Sequence, residues 1–316
     1  FFKWLYEDAR IAVQVFLVVG GFLAARNLAP RGVAQFTHPL PLAWNRYGRL
    51  MLPVLAAIGL AVVCAAIARA WMPLESSVPA APDMPQLLTH VLLLQNLLGY
   101  EALSAGVWYV AIDFQLFVLM VALLWLARRA PAAGACRHPA PVLVSALTIA
   151  SLFHFNRDAA WDNWALYFFG AYGLGVLAFW ASGRERRLFW LGVVAAMGLA
   201  ALLVDFRSRI AVALLVALLL GCTHRSAVAQ RRLDVRPLAF LGRISYSVFL
   251  AHYPVCLAIN AAFARFAPGD PLINALGLLL AWGGSILAGA LLHRYVEQPA
   301  FLWQRHSAAR WAARNA

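Results

Sequence analysis

Nine apolar runs, each close to the length that crosses a lipid bilayer, follow one another along 316 residues with short polar joints between them. They lie at about 11 to 28, 50 to 70, 104 to 127, 141 to 156, 162 to 181, 188 to 204, 208 to 224, 238 to 264 and 272 to 293. A helix needs ~20 apolar residues to span hydrocarbon, and a chain in lipid must satisfy its own backbone hydrogen bonds. The runs therefore predict an all-α fold, a polytopic transmembrane helical bundle with nine visible spans. With 63% apolar and only 12% charged residues, a soluble domain with a single core is a poor reading of the chain.

The basic residues sort themselves by side. When the joints are assigned alternately to two faces, one face receives eighteen, in five clusters that begin at Arg26, Arg128, Arg184, Arg225 and Arg294. The other face receives seven, among them Lys3, Arg69 and Arg207. Positive charge stays on the cytoplasmic side of a membrane, so the richer face is predicted to be cytoplasmic, with the C-terminus inside and residue 1 outside. That start on the outer side leads us to expect a tenth helix upstream of Phe1. The net charge of +13 is spread over short joints that topology alone explains, which argues against nucleic acid as a partner and for the lipid bilayer.

No soluble domain can be carved from the chain, and 1–316 reads as a single membrane domain. Its longest interruption, 71–103, is proline-rich and then apolar, and is expected to form an outer loop with a short surface helix. The tail 300–316 is basic and aromatic and is expected to rest on an anionic cytoplasmic leaflet. Cys64, Cys136, Cys222 and Cys256 form no CxxC pair, and the histidines lack metal-ligand spacing, so neither a disulfide framework nor a metal site is predicted.

Ionisable groups inside hydrocarbon cost at least ~2.5 kcal/mol and mark functional candidates. Asp113, in WYVAIDFQLF, lies about 14 Å below the outer end of its predicted helix, and His252, in SVFLAHYP, about 21 Å above the inner end of its own. At those depths the two could share a cavity. A carboxylate and an imidazole suit acid-base work, the carboxylate orienting the ring while the ring takes a hydroxyl proton. The alternative is a satisfied structural pair, or two unrelated hydrogen-bonded groups.

Arg46 and Arg49 in NRYGRLMLP stand one turn apart at the cytoplasmic mouth of their helix, with Pro53 a turn beyond. Two guanidinium forks on one face suit phosphate, while plain charge anchoring of the helix is the alternative. Ser247 precedes His252 on the same run, but no GxSxG elbow marks a serine nucleophile, and hydrogen bonding between helices suits it better. Gln115, like Gln14 and Asn260, is an intramembrane polar group whose role is either helix adhesion or substrate contact. We group Ser247 and Gln115 as polar-pocket candidates.

LGRISYSVFLAHYP, from Leu241 to Pro254, resembles the signature near the end of the acyltransferase-3 family of integral membrane acyltransferases. Four further segments are similar to family motifs and occur in the family's order: VFLVVGGFLAA at Val15 to Ala25, the RxxR of Arg46 and Arg49, WYVAIDFQLF, and RYVEQP at Arg294 to Pro299. The resemblance implies a ten-helix enzyme of the bacterial inner membrane. Such an enzyme takes an acyl group, usually acetyl from cytoplasmic acetyl-CoA, to a hydroxyl of a glycan or glycolipid. On that reading the arginines hold the acyl-CoA phosphates, Asp113 fills the acidic position and His252 the late histidine. The family's serine in its SGFL segment is replaced by Gly20 or Gly21, and its basic residue and histidine of the first helix would lie before Phe1. The competing class is a transporter or flippase of a lipid-linked sugar or small solute, although the chain lacks the internal duplication common in transporters.

Overall fold

The computed structural model describes residues 11–72, 78–129, 139–226, 235–266 and 271–302, and among these there is helix but no strand. In chain order the helices are α1 (Ile11–Leu28), α2 (Pro39–Trp71), α3 (Met84–Val91), α4 (Val107–Arg129), α5 (Pro139–Phe153), α6 (Ala165–Ser182), α7 (Arg187–Val204), α8 (Ser208–Thr223), α9 (Arg236–Phe266) and α10 (Pro271–Leu292). After α10 the segment His293–Glu297 tightens into a π-helical turn. Eight helical stretches are long and apolar enough to cross a membrane, and α8, with 16 residues, is a shorter apolar one. The nine predicted runs are therefore all helical, and the fold is a polytopic helical bundle. The expected tail beyond Leu302 lies outside the described residues, as do Lys3, Cys136 and residues 73–77 of the predicted outer loop.

Two compact units are assembled from interleaved stretches of chain, one from Phe1–Ala43 with Ile112–Asp234 and the other from Trp44–Ala111 with Val235–Ala316. In the first, α6 is the hub, packed by α1, α5, α7 and α8. Its sequence ALYFFGAYGLGVLAFWAS is apolar on every side, as a helix surrounded by other helices requires. Small residues let it approach α1 backbone to backbone: a Cβ on Gly21 would strike the Tyr172 carbonyl, and one on Gly175 would strike the Val18 carbonyl. This is the close packing that replaces a hydrophobic driving force between helices in lipid.

Polar pins hold the same unit at both ends. Trp180 donates its indole N–H to the Ala29 carbonyl at 2.7 Å. Ser151 accepts the Gly170 N–H at 2.7 Å and donates to the Leu166 carbonyl at 2.6 Å, tying α5 to α6. Arg207, before α8, donates to the Leu152 carbonyl at 2.8 Å and to Asn156 at 2.5 Å, and its guanidinium lies 3.5 Å from the Asp205 carboxylate. Burial pushes its pKa down, and the Asp205 charge opposes that.

In the second unit α9 and α10 run antiparallel in close contact. Gly289 faces Val248, Gly284 faces Val255 and Ile259, and Gly277 faces Phe263. Alongside them α2 remains helical through Pro53. Tyr246 of α9 donates to the Leu50 carbonyl at 3.2 Å, and Trp71 meets Phe266 edge-on at 5.4 Å, so α9 touches α2 at Leu50 and again at the end of α2.

Candidate functional site

Asp113 and Gln115 belong to the first unit, on α4. The Asp113 carboxylate lies against the middle of the α1–α6 contact: Oδ1 is 3.8 Å, and the Tyr172 ring 3.6 Å, from where a Cβ on Gly20 would stand. Of the two glycines in the VVGGFL segment, Gly20 is thus the one with room for a side chain, and that side chain would meet Asp113. Gln115 turns elsewhere. Its Oε1 accepts the Ala165 N–H at 3.0 Å, supplying an acceptor to a backbone donor left over at the start of α6.

Arg46, Arg49, Ser247 and His252 belong to the second unit. Arg46 is half-buried one turn before the exposed Arg49, whose guanidinium lies 5.0 Å over the Phe301 ring. Leu50, next to Arg49, accepts from Tyr246, next to Ser247. These contacts set Arg49 and Ser247 at one level of the unit. Ser247 is fully buried and donates to Glu297 Oε2 at 2.6 Å, and the same oxygen is 2.9 Å from His293 Nδ1. The serine proton is thus given to a carboxylate rather than to a histidine.

His252 lies five residues beyond Ser247, about 7.5 Å farther along α9. Its Nδ1 donates to the Phe249 carbonyl at 2.6 Å, because a carbonyl oxygen can only accept. In the neutral ring the proton therefore sits on Nδ1 and Nε2 is the basic atom. Phe249 is itself held, by Tyr109 edge-on at 5.3 Å and by Gly106, whose missing Cβ would come within 2.8 Å of the Phe249 carbonyl.

Sequence reasoning passed over two features. Glu297 gave a signal only as part of RYVEQP and His293, the residue before that motif, gave none; the π-turn in which Glu297 meets both His293 and Ser247 has no cue in periodicity, and such turns gather at functional sites. The second feature is the path taken by the stretch 84–106. Tyr47 donates to the Val91 carbonyl at 2.7 Å, and Arg69, 22 residues farther along α2, donates to the Pro79 carbonyl at 2.6 Å. The chain from Pro79 to Val91 thus runs back along α2 instead of staying at one end of it. His90 is fully enclosed there, Nδ1 donating to the Gln86 carbonyl at 2.7 Å and Nε2 accepting the Leu103 N–H at 3.0 Å. Burial pushes its pKa down, against a smaller opposing effect of the Gln86 carbonyl. Nearby, Gln95 and Ser104 are fully buried, and among the described residues neither the Gln95 amide nor the Ser104 hydroxyl has a hydrogen-bond partner.

Among the described residues no three histidine, cysteine, aspartate or glutamate side chains gather as metal ligands do. No curated protein and no solved structure matches the chain. A family model described as "Acyltransferase domain", that of the acyltransferase-3 family, matches residues 2–295. That match takes in the α9 segment carrying His252, the paired arginines of α2 and the Asp113 helix, and with nearly the whole chain covered the protein belongs to the acyltransferase-3 family and is a multi-pass membrane acyltransferase.

Proposed function

We propose that this acyltransferase takes an acyl group, acetyl in the simplest case, from cytoplasmic acyl-CoA and delivers it to a hydroxyl of a glycan or glycolipid at the bacterial cell envelope. The observation that carries the reading is the 2.6 Å contact between His252 Nδ1 and the Phe249 carbonyl. With Nδ1–H given to the Phe249 carbonyl, Nε2 is free in chemical terms to take a proton. The acceptor hydroxyl gives that proton to Nε2 as its oxygen attacks the thioester carbonyl carbon. The carbon–sulfur bond breaks, the new ester forms, and the imidazolium returns the proton to the departing CoA thiolate. No net oxidation occurs and no metal is needed to balance the step.

Arg46 and Arg49 support the donor half of the proposal. Guanidinium forks match phosphate geometry, and CoA brings three phosphates. The Phe301 ring under Arg49 limits where that guanidinium points. The arginine distribution supports placing both at the cytoplasmic rim, where CoA is available. Asp113 is proposed as the acidic group of the same reaction, matching its place in WYVAIDFQLF.

The test is to give purified full-length protein, in liposomes, acetyl-CoA with and without envelope glycan and to measure free thiol together with acetylated product. Acceptor-dependent CoA release accompanied by acetylated glycan is expected. Movement of labelled glycan across the vesicle without thiol release would reject the proposal in favour of transport.

A further inference from the structure

In the first unit a groove of about 400 Å³ opens between α5 and α7, with α6 as its floor. That volume falls within the ~300–1,000 Å³ of small-molecule sites. Its walls are apolar: Ile149 and Phe153 from α5, Leu177 from α6, Val193 and Met197 from α7. Ile149 and Val193 are each 46% exposed, so the groove opens on the outer, lipid-facing surface of its helices. Met197 lies ten residues into α7, so the apolar channel reaches about 15 Å from the α6–α7 turn.

The turn end is different. Arg184 closes it, its guanidinium 4.7 Å over the Trp190 ring, and both line the groove. A second guanidinium stands close by: Arg225 Nη2 is 3.6 Å from where a Cβ on Gly183 would be. Glu185 sits in the same turn, flanked by Arg184, Arg186 and Arg187, so the local charge is positive. A cation stacked on tryptophan at the end of an apolar channel between membrane-spanning helices fits one kind of occupant, a molecule with a hydrocarbon chain and an anionic head.

We infer that this groove holds one acyl chain of an anionic phospholipid, with the lipid phosphate on Arg184. The bilayer supplies this ligand in bulk, and guanidinium is the side chain best matched to its phosphate. The site is separate from the acyl-transfer proposal and does not depend on it.

The full-length protein in phosphatidylcholine nanodiscs doped with phosphatidylglycerol bearing a mid-chain diazirine tests this by photolabelling and peptide mapping. Labels are expected to concentrate on the peptides of Ile149, Phe153, Val193 and Met197. Arg184→Glu is expected to lower that labelling about tenfold, the loss of one charge-assisted hydrogen bond. Ile149→Trp, which fills the groove from its exposed side, lowers it too, whereas Arg186→Glu, the same charge change on a residue that does not line the groove, leaves it intact. Equal labelling by the matching phosphatidylcholine probe, an even spread over the exposed Leu199 and Leu203, or labelling unchanged in Arg184→Glu would overturn the inference. Melting temperature, followed alongside, separates these outcomes from loss of fold.

Discussion

Gly20 and Gly21 are neighbours with opposite tolerances. A Cβ at Gly20 meets the Tyr172 ring and Asp113 at ordinary contact distances, whereas at Gly21 it runs into a backbone carbonyl that cannot move without shifting α6. Gly20→Ser is therefore expected to leave the melting temperature close to that of the parent and to bring a hydroxyl beside the Asp113 carboxylate. Gly21→Ser should destabilise by about 1–3 kcal/mol through overpacking. Equal melting temperatures for the two variants would contradict the α1–α6 contact. The pair is legible in the sequence as two adjacent glycines in one apolar run, but its asymmetry is not. Asp113 and His252 were legible because a charge in hydrocarbon is costly wherever it points. The hydrogen bond that assigns the His252 tautomer was not, since it depends on the ring rotamer.

At the scale of an element, the stretch 84–106 departs most from what a sequence suggests. Its short helix was readable from an apolar run after prolines, with Asp83 capping it by accepting from the Gln86 N–H at 2.7 Å. Its return along α2 was not, because that rests on Tyr47 and on polar groups scattered over twenty residues. His90 gives this segment a pH dependence. Its folded-state pKa is pushed below the unfolded value of ~6.5, so the folded form binds fewer protons. The stabilisation is complete above the unfolded value and is lost as pH falls through it, levelling off below the folded value. Amide protection in 84–106, corrected for the intrinsic pH dependence of exchange, should fall between pH 7 and pH 5, and His90→Gln should flatten that response. A pH response that survives the substitution would assign it to another group; His224, lowered by burial with Arg26 and Arg225 adding to the effect, is in the other unit and is separated by where exchange changes.

Gln95, in the same segment, allows a test of sign. An amide buried without partners costs about 1–3 kcal/mol, so Gln95→Leu should raise the melting temperature. A lower melting temperature would mean that the amide is bonded in the membrane-embedded protein. Burial of this residue was hidden in the sequence, since LLLQNLL reads equally well as a surface helix.

For the whole molecule, the apolar helices could be read directly because bilayer thickness sets a length that apolar runs must meet, and eight of the nine expected spans meet it, α8 being shorter. How the helices assemble into two interleaved units could not, because packing depends on close approaches such as Gly175 against Val18 and Gly289 against Val248, which leave no period in the chain. The candidate residues divide accordingly: Arg49, Ser247 and His252 are drawn into one unit with His293 and Glu297, which only the π-turn brings to Ser247.

The central claim, a CoA donor gripped by Arg46 and Arg49 and a proton taken by His252, separates into two kinetic constants. Steady-state acetyl transfer by full-length protein should show the Michaelis constant for acetyl-CoA raised at least about tenfold in the Arg46→Ala, Arg49→Ala double variant with kcat little changed. His252→Ala should lower kcat by about 10²–10⁴ with the donor constant preserved. Donor kinetics unchanged in the double variant, or full turnover without the His252 ring, would contradict the account.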